Sequence, residues 1–151
     1  MDKQQCLSRL QRLCSRAEYC SADIYRKALK QLEGDSAAAE EVLRALREDR
    51  YVDDARYAAA FAREKASLQG WGPLKIRFGL RGKGVADELI TEALSQIDDG
   101  AAESKLDKLL AAKSRALAGD PQLRLKLLKF GLSRGYDYPA VEASLERIKN
   151  Y

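Results

Sequence analysis

A helix-stopping glycine recurs at Gly34, Gly84 and Gly135, about 50 residues apart each time. Each follows a basic amphipathic stretch and precedes a second helical one, as in Leu29-Lys30-Gln31-Leu32-Glu33-Gly34, Leu80-Arg81-Gly82-Lys83-Gly84 and Leu132-Ser133-Arg134-Gly135. A period of this length copies one supersecondary unit, and such units bury their apolar sides by stacking on their neighbours. The tripeptide Phe-Gly-Leu, at Phe78-Gly79-Leu80 and Phe130-Gly131-Leu132, reads as a second mark of the repeat. Counted from the turn glycine, Ile90 and Val141 stand six residues on, and Leu94 and Leu145 ten. No segment alternates with the strand period, so the expectation is an all-α fold of nine helices in three triplets, residues 1–50, 51–99 and 100–151. Helical arrays rarely carry an active site and commonly offer a long face to a partner, which points to binding.

Helix starts and stops support the triplets. Ser21 reads as the N-cap of a helix carrying Ile24, Ala28 and Leu32, and Ser36 as the cap of one carrying Val42, Leu43 and Leu46. Asp53 is a natural N-cap for a helix whose side Tyr57, Phe61, Lys65 and Leu68 line, with Tyr57 and Phe61 in the core. Pro73, Pro121 and Pro139 fall where helices begin, which suits a residue without an N–H. In the stretch after Pro73, Leu74, Ile76, Phe78 and Leu80 are expected to supply apolar contacts, and Trp71 to plug the junction between repeats. Leu7, Leu10 and Leu13 surround Cys6 and Cys14, which read as small core residues.

Charge is segregated by helix. Between Glu64 and Asp87 there is no acid but five bases, and between Asp120 and Asp137 there are four bases and no acid. A solvated helix normally mixes signs about four residues apart. Repeated presentation of one sign at equivalent places suggests a track for a polyanion or an acidic groove, shared by Lys75, Arg77, Arg81, Lys83, Arg124, Lys126, Lys129 and Arg134. Residues two apart on a helix diverge by about 200°, so these eight do not all face one way.

Catalysis is not expected. The chain has no histidine, and no nucleophile–base pair or cofactor motif is visible. Three cysteines without CxxC spacing do not make a metal site, and Gly70, Gly72, Gly82 and Gly84 lack the spacing of a phosphate loop. No apolar run approaches the roughly 20 residues that cross a bilayer. The opening Met1-Asp2-Lys3-Gln4-Gln5 carries no signal-peptide pattern, so a cytoplasmic monomer without cofactor is expected.

Several segments resemble the RecX family, bacterial regulators of the RecA recombinase. Tyr51-Val52-Asp53-Asp54-Ala55-Arg56-Tyr57-Ala58 is similar to the family's Asp-Asp-x-Arg-Phe/Tyr-Ala entry, and Gly70-Trp71-Gly72-Pro73-Leu74-Lys75-Ile76 to its Gly-x-Gly-Pro-x-x-Ile step. Leu80-Arg81-Gly82-Lys83-Gly84-Val85 resembles its Leu-x-x-Lys-Gly-Ile/Val turn. Phe130-Gly131-Leu132-Ser133-Arg134-Gly135-Tyr136 is a weaker echo, with Gly131 where leucine is usual, a change expected to loosen that helix end. The resemblance implies tandem three-helix repeats forming an elongated, curved rod. It implies a non-enzymatic regulator that binds the RecA–single-stranded DNA filament and inhibits strand exchange and ATP turnover, with weak direct nucleic-acid binding. Two other readings stand beside it: a sequence-specific DNA-binding protein using helix-turn-helix modules, and a helical adaptor for an acidic protein partner.

Overall fold

A computed structural model describes residues 1–149, and among these the chain forms nine α-helices and no strand. The first triplet is α1 (Lys3–Cys14), α2 (Ser21–Gln31) and α3 (Ser36–Glu48). The second is α4 (Asp54–Ser67), α5 (Pro73–Gly82) and α6 (Asp87–Ser95), and the third α7 (Asp99–Ala116), α8 (Leu123–Ser133) and α9 (Tyr138–Arg147). No helix of the described residues is long and apolar enough to cross a membrane.

Aspartate starts most of these helices. Asp2 closes a capping box with Gln5 on α1, while Asp35, Asp53, Asp98 and Asp137 each accept the N–H three residues on, at 2.8–3.1 Å. Such caps contribute about 1 kcal/mol each. Asp35 therefore caps α3 where Ser36 was expected to, and Ser36 is the first helical residue. Cys20 rather than Ser21 occupies the N-cap of α2, and its side chain makes no cap bond. Asp120 accepts the Gln122 N–H at 2.8 Å, so Asp120-Pro121 forms a turn ahead of α8 and not its first turn.

Backbone geometry sharpens the repeat. Gly84 and Gly135 lie in the left-handed region, at φ 76° and 97°, and the N–H of the following residue reaches back to the carbonyl of Leu80 or Gly131. In the first repeat the same bond runs from Gly34 N–H to the Leu29 carbonyl at 2.8 Å. The residue in the equivalent left-handed position is therefore Glu33, at φ 55°. Positions 33, 84 and 135 are spaced by 51 residues each time, and the third helices then align throughout. Ala39, Ile90 and Val141 are buried at one equivalent position, and Val42, Ala93 and Ser144 at another.

The Phe-Gly-Leu tripeptide fails this alignment. Gly79 stands five residues before its turn glycine and Gly131 four, a slip that rotates the three residues by about 100°. Leu80 is accordingly buried and Leu132 exposed, while Phe78 is exposed and Phe130 half-buried. Gly131 is buried where Val141 closes in, and α8 continues past it to Ser133 without loosening.

The middle helices α2 and α5 take their N-terminal acceptors from the following repeat. Ser21 N–H donates to Asp54 Oδ1 at 2.7 Å. Gly72 N–H donates to the Arg134 carbonyl at 2.7 Å, and Leu74 N–H to the Gly135 carbonyl at 3.0 Å. The turn glycine of the later repeat sits at each junction, Gly84 beside Ala22 and Gly135 against Lys75.

Two compact units result. One comprises Met1–Ala60 with Leu80–Thr91, the other Phe61–Gly79 with the chain from Glu92 onward, so the divisions fall within α4, α5 and α6. The first unit's core joins Cys6, Leu10, Ile24, Ala28, Val42, Leu46 and Val52. A core of Leu106, Leu110, Leu127, Tyr136, Val141 and Leu145 lies in the second. Full burial of a leucine such as Leu10 or Leu110 contributes about 1.5–3 kcal/mol. Along α4 the buried residues are the small Ala58 and Ala62, so Tyr57 and Phe61 are only half-buried and Leu68 is exposed, contrary to the expectation for that face. Cys6 and Cys20 are buried and Cys14 half-buried, and burial pushes all three thiols up, as fits core residues.

In the second unit α7 and α9 are tied by Asp107, which accepts from Ser144 Oγ at 2.5 Å and from two Arg147 nitrogens at 2.9 Å. Partial burial acts to raise the Asp107 pKa, but the Arg147 and Ser144 hydrogen bonds and the Arg147 charge outweigh it, and the carboxyl titrates below its ordinary range.

Two stability outcomes follow. An alanine Cβ at Gly135 would lie 2.3 Å from Lys75 Cβ and 2.6 Å from its backbone nitrogen, whereas at Gly84 the nearest atom is 3.5 Å away. Gly84→Ala should cost about 1 kcal/mol from its left-handed backbone alone, and Gly135→Ala about 3 kcal/mol or more, measured by urea denaturation. For Asp107 the depressed folded pKa adds stability above the unfolded value of about 4, and that stability drains as pH falls through the folded pKa. Asp107→Asn should therefore be less stable than the parent at pH 7 by urea melts, with the gap closing towards about pH 2.

Candidate functional site

Burial of Ile76 and Leu80, one turn apart, fixes how α5 is rotated. Measured from Ile76, Lys75 and Arg77 lie about 100° to either side, and Leu74, Phe78 and Arg81 about 140–200° away, on the crest. Lys75 and Arg77 are half-buried flank residues, while Leu74 is 56% exposed and Phe78 80%. Leu74 and Phe78 thus do not join the apolar contacts expected of them. Apolar residues two apart cannot share one side of a helix, and that spacing was the available signal. In α8 the buried pair is Leu127 and Gly131, leaving Arg124, Leu125, Lys126, Lys129 and Leu132 exposed.

The eight bases divide between the two units. Arg81 and Lys83 belong to the first, where Arg81 Nε meets Asp87 at 3.0 Å and Lys83 Nζ meets Asp23 at 3.1 Å. The other six belong to the second. There Arg124 lies 3.7 Å from Glu142 and Lys126 2.5 Å from Asp120. Lys126, with the Gln122 N–H, holds the Asp120 carboxyl below its usual range. Lys129 is exposed. Arg134 is half-buried, donates to the Gln69 carbonyl and lies 5.9 Å from the Phe130 ring centre. Acids from neighbouring elements therefore neutralise several bases that stand unopposed within their own helices.

A second motif, cations set against aromatic rings, has no mark in the local sequence. In the second unit Lys65 and Lys75 place their ammonium groups 4.9 and 4.7 Å from the centre of Trp71. Trp71 in turn meets Phe61 edge-on, with ring centres 6.1 Å apart. Lys113 lies 5.1 Å from the Phe130 ring, which it shares with Arg134. In the first unit Lys27 lies 5.7 Å from Tyr19. Each such contact is worth about 0.5–1 kcal/mol at exposed sites and holds a cation in place while leaving it able to meet an anion. Beside Trp71 opens a cleft of about 470 Å³, with Ile76, Leu94, Ile97 and Tyr136 in its lining and Arg63 and Lys105 also present.

Trp71 is the single tryptophan, so its emission reports on Lys65 and Lys75. Titration with a single-stranded oligonucleotide that engages either lysine should change that emission, and Lys75→Met should remove most of the change. Unaltered fluorescence at saturating oligonucleotide would exclude this cluster from anion binding.

Comparison with known proteins places the chain among close likenesses. The family model for the second three-helix domain of RecX matches residues 53–94. A regulatory protein RecX of Haemophilus ducreyi is 33% identical over 138 residues, which span 90% of this chain and 87% of that one. The Bacillus mycoides counterpart is 30% identical over 124 residues, and the match spans 81% of this chain but only 46% of that relative. The crystal structure of RecX from Lactobacillus salivarius superposes with a TM-score of 0.89 over 99% of this chain and 97% of that one, a likeness of fold at 18% identity. A further crystal structure of regulatory protein RecX gives 0.85 at 26% identity, over 99% and 72% of the two chains.

Proposed function

The chain belongs to the RecX family of regulatory proteins, and from that membership we propose that it regulates the RecA recombinase. In this reading it binds the RecA–single-stranded DNA filament, inhibits ATP hydrolysis and strand exchange, and touches DNA itself weakly and without sequence preference. The observation that carries the reading is the match to a regulatory RecX relative across nearly the whole of both chains. Cations held against aromatic rings, in each unit taken by itself, support an anionic partner. The helix-turn-helix alternative is disfavoured by Asp87 and Glu88 in the first turn of α6, where a recognition helix would meet phosphate and base edges.

Binding of the chain here means docking that blocks turnover, with no bond made or broken by its own residues. Solvent screens ion pairs such as Arg81–Asp87 and Lys126–Asp120, so their cations can exchange an internal carboxylate for one on a partner, or for a phosphate. Direct contact with DNA should then weaken about tenfold over a few-fold rise in salt.

The test is co-sedimentation with RecA assembled on single-stranded DNA, together with ATP hydrolysis at a stoichiometric ratio. Unchanged hydrolysis would sink the proposal. Replacing Lys75, Arg81 and Lys129 together with Glu should weaken inhibition about tenfold or more while helicity by circular dichroism is kept. Lys83 is left alone because a glutamate there would face the mostly buried Asp23, whereas Asp87 beside Arg81 is exposed.

A further inference from the structure

The crests of α5 and α8 carry a pattern that a phosphate track does not need. Leu74 and Leu125 stand 51 residues apart, at equivalent positions, and are 56% and 46% exposed. Each is followed by a lysine, Lys75 or Lys126. Phe78, one turn beyond Leu74, is 80% exposed, and Leu132 near the end of α8 is 43% exposed. These four apolar residues belong to one compact unit. Two of them lie at one junction: Leu74 N–H donates to the Gly135 carbonyl, and Gly135 N–H to the carbonyl of Leu132. Exposed apolar residues scattered singly are ordinary, but repetition at one register position, with two of the four at one junction, is not.

We propose that the Leu74–Phe78 crest of α5, continued by Leu125 and Leu132 of α8, docks an acidic protein segment that inserts apolar side chains between its carboxylates. Neither helix contains an acidic residue. The charges these helices themselves carry beside the apolar crest are all positive; Asp87, Glu142 and Asp120 pair with Arg81, Arg124 and Lys126 from neighbouring segments, and a partner's carboxylates around apolar anchors would take their place. Aliphatic leucines neither stack on bases nor hydrogen-bond to phosphate, whereas nucleic-acid surfaces use aromatics and cations for those purposes. An exposed phenylalanine one turn from Leu74, with Lys75 and Arg81 three residues to either side, has the composition of a contact centre between proteins.

The inference rests on the regulatory reading for the identity of the partner, so the assay separates the two. Leu74→Ser with Phe78→Ser, and independently Leu125→Ser with Leu132→Ser, are made in the full chain. All four side chains are exposed, so near-parental melting is expected, and Phe78→Ala alone provides a milder check. Affinity is measured for RecA filaments by co-sedimentation and for bare single-stranded DNA by fluorescence anisotropy. Filament affinity should fall about tenfold or more, with DNA affinity within about twofold of the parent because no phosphate contact is lost. Parental filament affinity in both double variants would overturn the docking face and leave the regulatory reading intact. Equal losses on filament and bare DNA would mark a nucleic-acid surface and overturn it too. A parent chain that ignores the filament would sink the regulatory reading and this one with it.

Discussion

The first N–H groups of α2 and α5 take their acceptors from the following repeat, and the stacking of the chain depends on that. An uncapped helix start leaves donors without partners, and each satisfied one is worth about 1 kcal/mol. For α2 the acceptor is a side chain, Asp54, reaching across from α4. For α5 it is the backbone at the end of α8, the Arg134 and Gly135 carbonyls. The two solutions follow from how closely the elements approach. At the α5 junction Gly72 and Gly135 have no Cβ, and one on Gly72 would lie 2.5 Å from the Gly135 carbonyl carbon, so backbone meets backbone. A Cβ on Gly84 would lie 3.5 Å from Ala22 Cβ, so this junction is wider, and at the α2 start a side chain, Asp54, makes the bond. Carbonyls ending α8 also face the positive end of α5, an arrangement the helix dipoles favour.

The same junctions explain why the repeat was readable. A glycine must occupy position 135 on two counts, its left-handed backbone and the nearness of Lys75, and such a residue leaves a mark at fixed spacing. Aspartate caps leave another, and Asp53 is seated as the sequence indicates. Apolar positions six and ten residues beyond the turn remain visible because α6 and α9 each present one stripe to a core.

What escaped notice shares one cause, the absence of a local signal. Nothing in its own composition marks Glu33 as left-handed, so the sequence alone points to Gly34 as the turn residue and gives an uneven period. The partnership of Asp54 with Ser21 spans 33 residues and follows only from tertiary packing. Alternation across Leu74, Ile76, Phe78 and Leu80 resembled a continuous apolar set, although helix geometry lets only Ile76 and Leu80 share the buried side. Large aromatics on α4 looked like core, yet Ala58 and Ala62 are buried and displace Phe61 to the edge of Trp71.

Charge counted helix by helix misled in the same way, since acids come from outside the counted segment. Asp23 serves Lys83, Glu142 serves Arg124, and Asp120 serves Lys126, so the long-range field around these bases is weaker than their number implies. A weaker field steers less and leaves more of the selection to contact. On α5 and α8 Leu74, Phe78, Leu125 and Leu132 are exposed as well as Lys126 and Lys129. Apolar crests discriminate among anionic partners where charge alone does not: a bare phosphate backbone satisfies the lysines only, whereas an acidic protein surface with protruding apolar groups satisfies both. Cations held loosely in exposed pairs, beside exposed apolar groups, therefore leave both kinds of side chain available to a partner.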